Sequence, residues 1–158
     1  KRGRRALLLT EEDLTWRPAQ TPAGCVALSP SPRSVLAPSS TLVGEFVDAA
    51  LSDALQRQQH GWNDTVPTVA PKALDETALI DWLVEQGMDE VICAYQPICP
   101  ARLRIEGLRE PLAAKGISLQ LQMRDYDRLG WPHASKGFFQ LGKRIPEFLD
   151  VMSLAHGA

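Results

Sequence analysis

Thr10, Glu11, Glu12 and Asp13 close a short apolar run and set three carboxylates side by side. Carboxylates so close together can hold a hard cation, or leave one group able to act as a general base. The same residues also suit the first turn of a helix, whose free N–H groups favour negative charge. Ser29 ends a second apolar run and offers a hydroxyl at a comparable place. Tyr95, Gln96 and Arg102 bring a phenol, an amide and a guanidinium around the turn Gln96-Pro97-Ile98-Cys99-Pro100. Thr10, Glu11, Asp13, Ser29, Tyr95, Gln96 and Arg102 therefore form the candidate site for a cofactor or nucleotide. No catalytic set accompanies them. GxGxxG, GxxxxGK[ST] and GxSxG are all missing, so dinucleotide, P-loop and hydrolase readings lose their signatures.

A second group lies in Arg124 to Pro146, where Trp131, Phe138 and Phe139 mix with Arg128, His133, Lys136, Lys143 and Arg144. One reading is an aromatic, cationic surface for a flat chromophore, nucleic acid or partner. The other packs the rings under the sheet, or against a missing domain, and leaves the lysines in water. Gly130, Pro132 and Gly137 disfavour a regular core element here, so Trp131, His133, Lys136, Phe138 and Phe139 are assigned to an interface. His60 follows a polar helix end and His156 lies in the tail. The three cysteines, Cys25, Cys93 and Cys99, lack a zinc spacing and fit buried thiols in a reducing compartment. The cytoplasm is the expected location, and no metal is expected.

These groups need a scaffold. A chain of 158 residues fits one domain able to bury a core without disulfides. Its net charge of -2 argues against gripping nucleic acid by bulk charge. No apolar run is long enough to span a membrane, and Lys1 to Arg5 is not followed by an export signal. Ala6–Leu9, Cys25–Leu28, a weak Thr65–Val69 interrupted by Pro67, Val91–Tyr95 and the alternating Ile117–Met123 read as strands. Between them, Thr41 caps a helix over Leu42–Gln58 with Val43, Phe46, Val47, Ala50, Leu51, Ala54 and Leu55 as its apolar stripe. Asp75 caps another that ends at Gly87. A third runs from Pro100 to Lys115-Gly116, with Leu103, Leu108, Leu112 and Ala113 inward and its arginines outward. Pro146 opens or interrupts a last short helix.

Strands alternating with helices predict an α/β fold: a three-layer, doubly wound, five-stranded and mainly parallel Rossmann-like sheet, Ala6–Leu9 central and Pro67's strand at an edge. Ligands of such sheets collect outside the carboxyl ends of the strands. Residues 1–130 form the α/β domain and 131–158 the aromatic, basic segment leading out of it.

The order of motifs resembles the N-terminal α/β domain of the DNA photolyase and cryptochrome family. Arg5-Ala6-Leu7-Leu8-Leu9 leads to Asp13-Leu14, Cys25 runs to Pro30, and Phe46 to Val69 is a helix feeding a short strand. Leu79–Gly87 precedes Val91–Ala94 and the turn Tyr95-Gln96-Pro97. Ala101–Leu121 looks like the family's arginine-rich helix and Gly-Ile strand, and Tyr126–Leu149 like its aromatic exit segment. The resemblance covers nearly the whole chain. The family's arginines beside the first Asp-Leu, and its acidic or Asn-Arg residues around Tyr95, are replaced here. The resemblance implies an antenna or scaffold half of a flavin-dependent blue-light protein, for DNA repair or light sensing, with no catalysis of its own. It implies an antenna chromophore, folate or deazaflavin, in this chain, and FAD only in a helical domain or separate chain that is the partner. DNA would be met only indirectly. Two further readings stay open: a nucleotide-binding α/β protein using Thr10–Asp13 and Ser29, and a ligand-free interaction module.

Overall fold

The computed structural model describes residues 3–30, 40–60, 62 and 67–152. Contacts divide the chain into two compact units, 1–122 and 123–158.

The first unit is a five-stranded sheet with every pairing parallel: β1 (Arg5–Leu9), β2 (Gly24–Ala27), β3 (Thr68–Val69), β4 (Glu90–Ala94) and β5 (Ser118–Gln122), in the order β3-β2-β1-β4-β5. The expected α/β sheet is thus present, with β1 at its centre and Ala6 to Leu9 buried. β3 is the edge strand. Residues 65 and 66 of its expected span lie outside the described residues.

Parallel strands need crossovers, and right-handed crossovers fix which face each helix covers. The chain moves outward from β2 to β3 through α1 (Thr41–His60), then back to β4 through α2 (Glu76–Glu85), and on to β5 through α3 (Pro100–Gly107) and α4 (Arg109–Ala114). Reversing direction sends α2, α3 and α4 to the face opposite α1. Strand side chains alternate accordingly. Ala6, Leu8, Val26, Val91 and Cys93 pack with Leu79, Leu83, Ile105 and Leu112. Leu7, Leu9, Cys25, Ala27 and Ile92 pack with Leu51, Ala54 and Leu55, joined by Leu14, Trp16 and Trp62.

Two helices differ from the sequence expectation, each for a physical reason. Ser40, not Thr41, caps α1: its Oγ accepts from the Val43 N–H at 3.4 Å and its carbonyl from the Gly44 N–H at 3.1 Å. The 20 residues of α1 span about 30 Å, whereas the four residues of β2 span about 13 Å. The helix overhangs its strand, so Leu51, Ala54 and Leu55 are buried while Leu42, Val43 and Phe46 of the same stripe are exposed. The third helix is two. Pro111 has no N–H for the Gly107 carbonyl four residues back and its ring crowds that carbonyl, so the helix breaks at Leu108. Its buried face is Ala101, Ile105, Leu108 and Leu112, and Leu103, about 200° around from Ala101, is exposed.

Helix ends otherwise follow the sequence. Asp75 Oδ1 accepts from the Ala78 N–H at 2.9 Å. Gly87 and Gly116 take φ of 61° and 75° past α2 and α4, the left-handed conformation that ends a helix.

The second unit comprises α5 (Asp125–Gly130), a 3-10 helix (Trp131–Lys136), α6 (Phe138–Gly142) and α7 (Ile145–Val151). The sequence places a division at 130/131, while the contacts put it after Gln122. Helix α5 belongs with the C-terminal unit because Tyr126 packs edge-on against the buried Phe148, ring centroids 6.3 Å apart.

Truncating Leu8 to Ala should lower the unfolding free energy by about 2–5 kcal/mol, since it opens a cavity in the central strand. Leu103→Ala, at an exposed position, should change it by less than about 0.5 kcal/mol. Urea unfolding compares the two; equal losses would contradict this packing.

Candidate functional site

The strand order reverses between β1 and β4. The chain leaves β1 toward β2 on one side and returns to place β4 on the other. Ligands of open parallel sheets occupy the crevice outside the carboxyl ends at such a reversal. Thr10 follows β1 and Gln96 follows β4, so both lie at that end of the sheet.

Gln96 Nε2 donates to Thr10 Oγ1, joining the ends of β4 and β1. Both residues are buried, Gln96 to 2% exposure and Thr10 to 1%. Gln96 Oε1 has no hydrogen-bond partner among the described residues. Leaving a buried acceptor unsatisfied costs about 1–3 kcal/mol. The site holds this cost because neighbouring bonds fix the loop. Arg102 Nη1 donates to the Gln96 carbonyl at 3.0 Å, and the Tyr95 N–H donates to the Gln122 carbonyl at 2.8 Å.

Arg102 is itself held in place. Its guanidinium lies 4.6 Å from the Tyr95 ring centroid, and its Nε donates to Glu106 Oε1 at 2.9 Å. Arg109 donates to the other Glu106 oxygen at 2.6 Å. The hydrogen bond from Arg109 draws the Glu106 carboxyl below its ordinary range; burial opposes this and Arg102 adds to it. Cys99 caps α3, its Sγ accepting from the Arg102 N–H at 3.4 Å, with Pro100 in the first turn where no N–H is needed.

The other assigned residues do different work. Asp13 Oδ1 accepts from the Thr15 and Trp16 N–H groups at 3.1 and 2.9 Å, and the Asp13 N–H donates to the Thr10 carbonyl at 3.2 Å. The acidic run therefore builds a turn rather than starting a helix. Glu11 is half-buried and Glu12 exposed. Among the described residues no three His, Cys, Asp or Glu come together to hold a metal ion. Ser29 stands beyond β2. Its N–H donates to the Leu74 carbonyl at 2.7 Å and its carbonyl accepts from Arg104 Nη1 at 2.8 Å. The structure thus brings Thr10, Tyr95, Gln96 and Arg102 together and uses Asp13 and Ser29 through turn and backbone bonds.

Sequence reasoning missed Arg104, Glu76 and Glu106. Arg104 Nε donates to Glu76 Oε1 at 2.7 Å, joining α3, the start of α2 and the end of β2. Burial raises the Glu76 carboxyl, but its backbone bond and Arg104 outweigh this and bring it below the ordinary range. The i, i+4 spacing of Arg102 and Glu106 and the i, i+3 spacing of Glu106 and Arg109 were the available signals. The Glu76–Arg104 pair left none.

In the C-terminal unit Phe138 and Phe139 are 73% and 82% exposed and Trp131 is half-exposed. Phe138 and Phe139 meet edge-on at 5.8 Å. His133 is half-buried, its ring 5.8 Å from that of Phe148. Lys136 ends the 3-10 helix. His60 is exposed at the end of α1, its Nδ1 3.1 Å from the Gln56 carbonyl oxygen, and His156 lies outside the described residues. At the amino ends of the strands Gly3, Arg4, Arg5, Thr21, Ala23 and Glu90 line an open cleft of about 610 Å³, where Arg5 pairs with Glu90. No described helix is long and apolar enough to cross a membrane.

Comparison with models of known protein families, with characterised proteins and with solved structures gave no match.

Burial pushes the Cys25 and Cys93 thiols from 9.0 up to about 12; at Cys93 the Asp13 carboxylate adds to the rise and Arg102 opposes it. Between those values the folded chain binds more protons than the unfolded one. The stability these thiols contribute is therefore complete below pH 9.0 and lost as pH rises toward about 12. Urea midpoints measured across this range should fall less steeply for a Cys25→Ala/Cys93→Ala variant. An unchanged slope would contradict the assignment.

Proposed function

We propose that the chain is the α/β half of a two-part, flavin-dependent blue-light protein resembling the photolyase and cryptochrome family, serving as antenna or scaffold. The observation that carries this reading is the convergence of Thr10, Tyr95, Gln96 and Arg102 at the carboxyl ends of β1 and β4, where the strand order reverses. The order of sequence motifs from Arg5 to Leu149 supports it, as does the sheet those motifs build.

The implied antenna group is a folate or deazaflavin, and the residues suit one. Tyr95 with Arg102 over its ring offers a flat, cation-faced surface. Gln96 Oε1 offers an acceptor to a ring N–H. The overhanging start of α1, with Leu42 and Phe46, and the exposed Ile98 add apolar surface at the same end of the sheet. A bound antenna absorbs near-ultraviolet or blue light and passes excitation to a flavin without covalent change. The chain's own part is to orient the dye and exclude water. FAD, DNA repair and light signalling belong in this reading to a helical partner domain or chain, with DNA met through that partner, in the cytoplasm.

The aromatic C-terminal unit gives the partner a place to dock. Burying a large apolar side chain is worth about 1.5–3 kcal/mol, and Trp131, Phe138 and Phe139 hold such area in reserve. His133 and Lys136 belong to the same proposed interface.

The purified chain is expected to carry or take up a near-ultraviolet-absorbing dye and to contain no stoichiometric FAD. Copurified FAD would overturn the reading, and a bound nucleotide without a dye band would favour a nucleotide-binding protein instead. A Phe138→Ala/Phe139→Ala variant should melt within about 0.5 kcal/mol of the parent yet lose binding to a flavin-carrying helical domain in sedimentation. A large drop in melting would show that the rings serve the fold.

A further inference from the structure

We infer that Gln96 is both latch and receptor of the β1–β4 crevice, and that the ligand it admits presents a lactam or imide N–H. The inference rests on the reading of that crevice as a dye site and adds the recognition chemistry. Gln96 closes the mouth by donating to Thr10, 86 positions away in sequence, and is buried in doing so. Closure satisfies one end of the amide and leaves Oε1 without a donor among the described residues. Buried polar groups in native proteins are nearly always paired, so an unpaired one at a ligand crevice marks where a partner belongs.

The geometry also indicates how the latch opens. The Gln96 carbonyl is fixed by Arg102 and the preceding Tyr95 N–H by Gln122, so the backbone of the turn is anchored on both sides. The side-chain bond to Thr10 joins this turn to the end of β1. Rotating the Gln96 side chain breaks one hydrogen bond and exposes an amide oxygen that accepts without charge. An anionic group would be repelled by that oxygen. A carbonyl alone would meet the freed Nε2 N–H and leave the oxygen unpaired. A neutral ring N–H matches it, and a planar heterocycle carrying one can lie against Tyr95 and Arg102.

The test uses 5-deazariboflavin, whose only ring N–H is that of its imide, and its N-methyl derivative, followed by fluorescence titration of the full chain. The parent dye should bind about tenfold more tightly than the methylated one, the worth of one buried hydrogen bond. Gln96→Met should erase that difference, with circular dichroism showing the fold retained. Thr10→Val, which removes the latch partner and leaves Gln96 in place, should bind the parent dye at least as tightly as the natural chain. Equal binding of the two dyes by the natural chain, or unchanged discrimination in Gln96→Met, would overturn the inference while leaving the dye site standing. Weaker binding by Thr10→Val would overturn the latch. Failure of the natural chain to bind either dye would overturn the inference, and a folate band in the purified chain would then show that the antenna reading survives without it.

Discussion

An all-parallel sheet cannot close its strand connections with tight turns, so every step between neighbours needs a crossover of one hand. Here that constraint sends the chain out from β1 to β3 and back to β4 and β5. The reversal places α1 on one face and α2, α3 and α4 on the other, and it leaves the carboxyl ends of β1 and β4 diverging with no crossover over the gap. Burial of Leu7 and Leu9 on one face and Ala6 and Leu8 on the other keeps β1 fixed at the centre. The position of Thr10 follows from that burial, and it brings the Thr10 hydroxyl to the Gln96 side chain.

Around the crevice the fold spends its arginines on backbone carbonyls. Arg102 holds Gln96, Arg104 holds Ser29, and Arg109 holds Leu119 through a bond of 2.8 Å. Each carbonyl lies in a loop or strand that a helix of the α3–α4 pair must be tied to, and Glu76 or Glu106 supplies a compensating charge in each case. Surface ion pairs contribute little by themselves. A guanidinium bonded both to a carboxylate and to a carbonyl fixes the loop or strand that it holds. Between these ties the Gln96 side chain bonds to Thr10.

The sheet was legible in the sequence because its strands are short apolar or alternating runs bounded by Pro and Gly, and α2 because Asp75 and Gly87 mark its ends. The break at Leu108 was written in Pro111, which sits four residues after Gly107, but an apolar stripe read on its own passes over it. The exposed half of α1 was not legible, since helix periodicity says nothing about the length of the strand beneath. The candidate site was legible as residue types at strand ends. Its working contacts were not: Thr10–Gln96 and Ser29–Arg104 join residues 86 and 75 positions apart, and no local spacing encodes such a pair.

Ligand binding is proposed at the carboxyl ends of β1 and β4. The most direct measurement is an NMR titration of the isotopically labelled chain with a deazaflavin, following the side-chain amide of Gln96 together with backbone amides on both ends of the sheet. The account predicts that the Gln96 side-chain resonance shifts, with Thr10, Glu11 and Tyr95 following it, while Arg4, Arg5 and Thr21 at the opposite cleft stay in place. Shifts confined to Arg4, Arg5 and Thr21, with Gln96 and Thr10 unmoved, would contradict it.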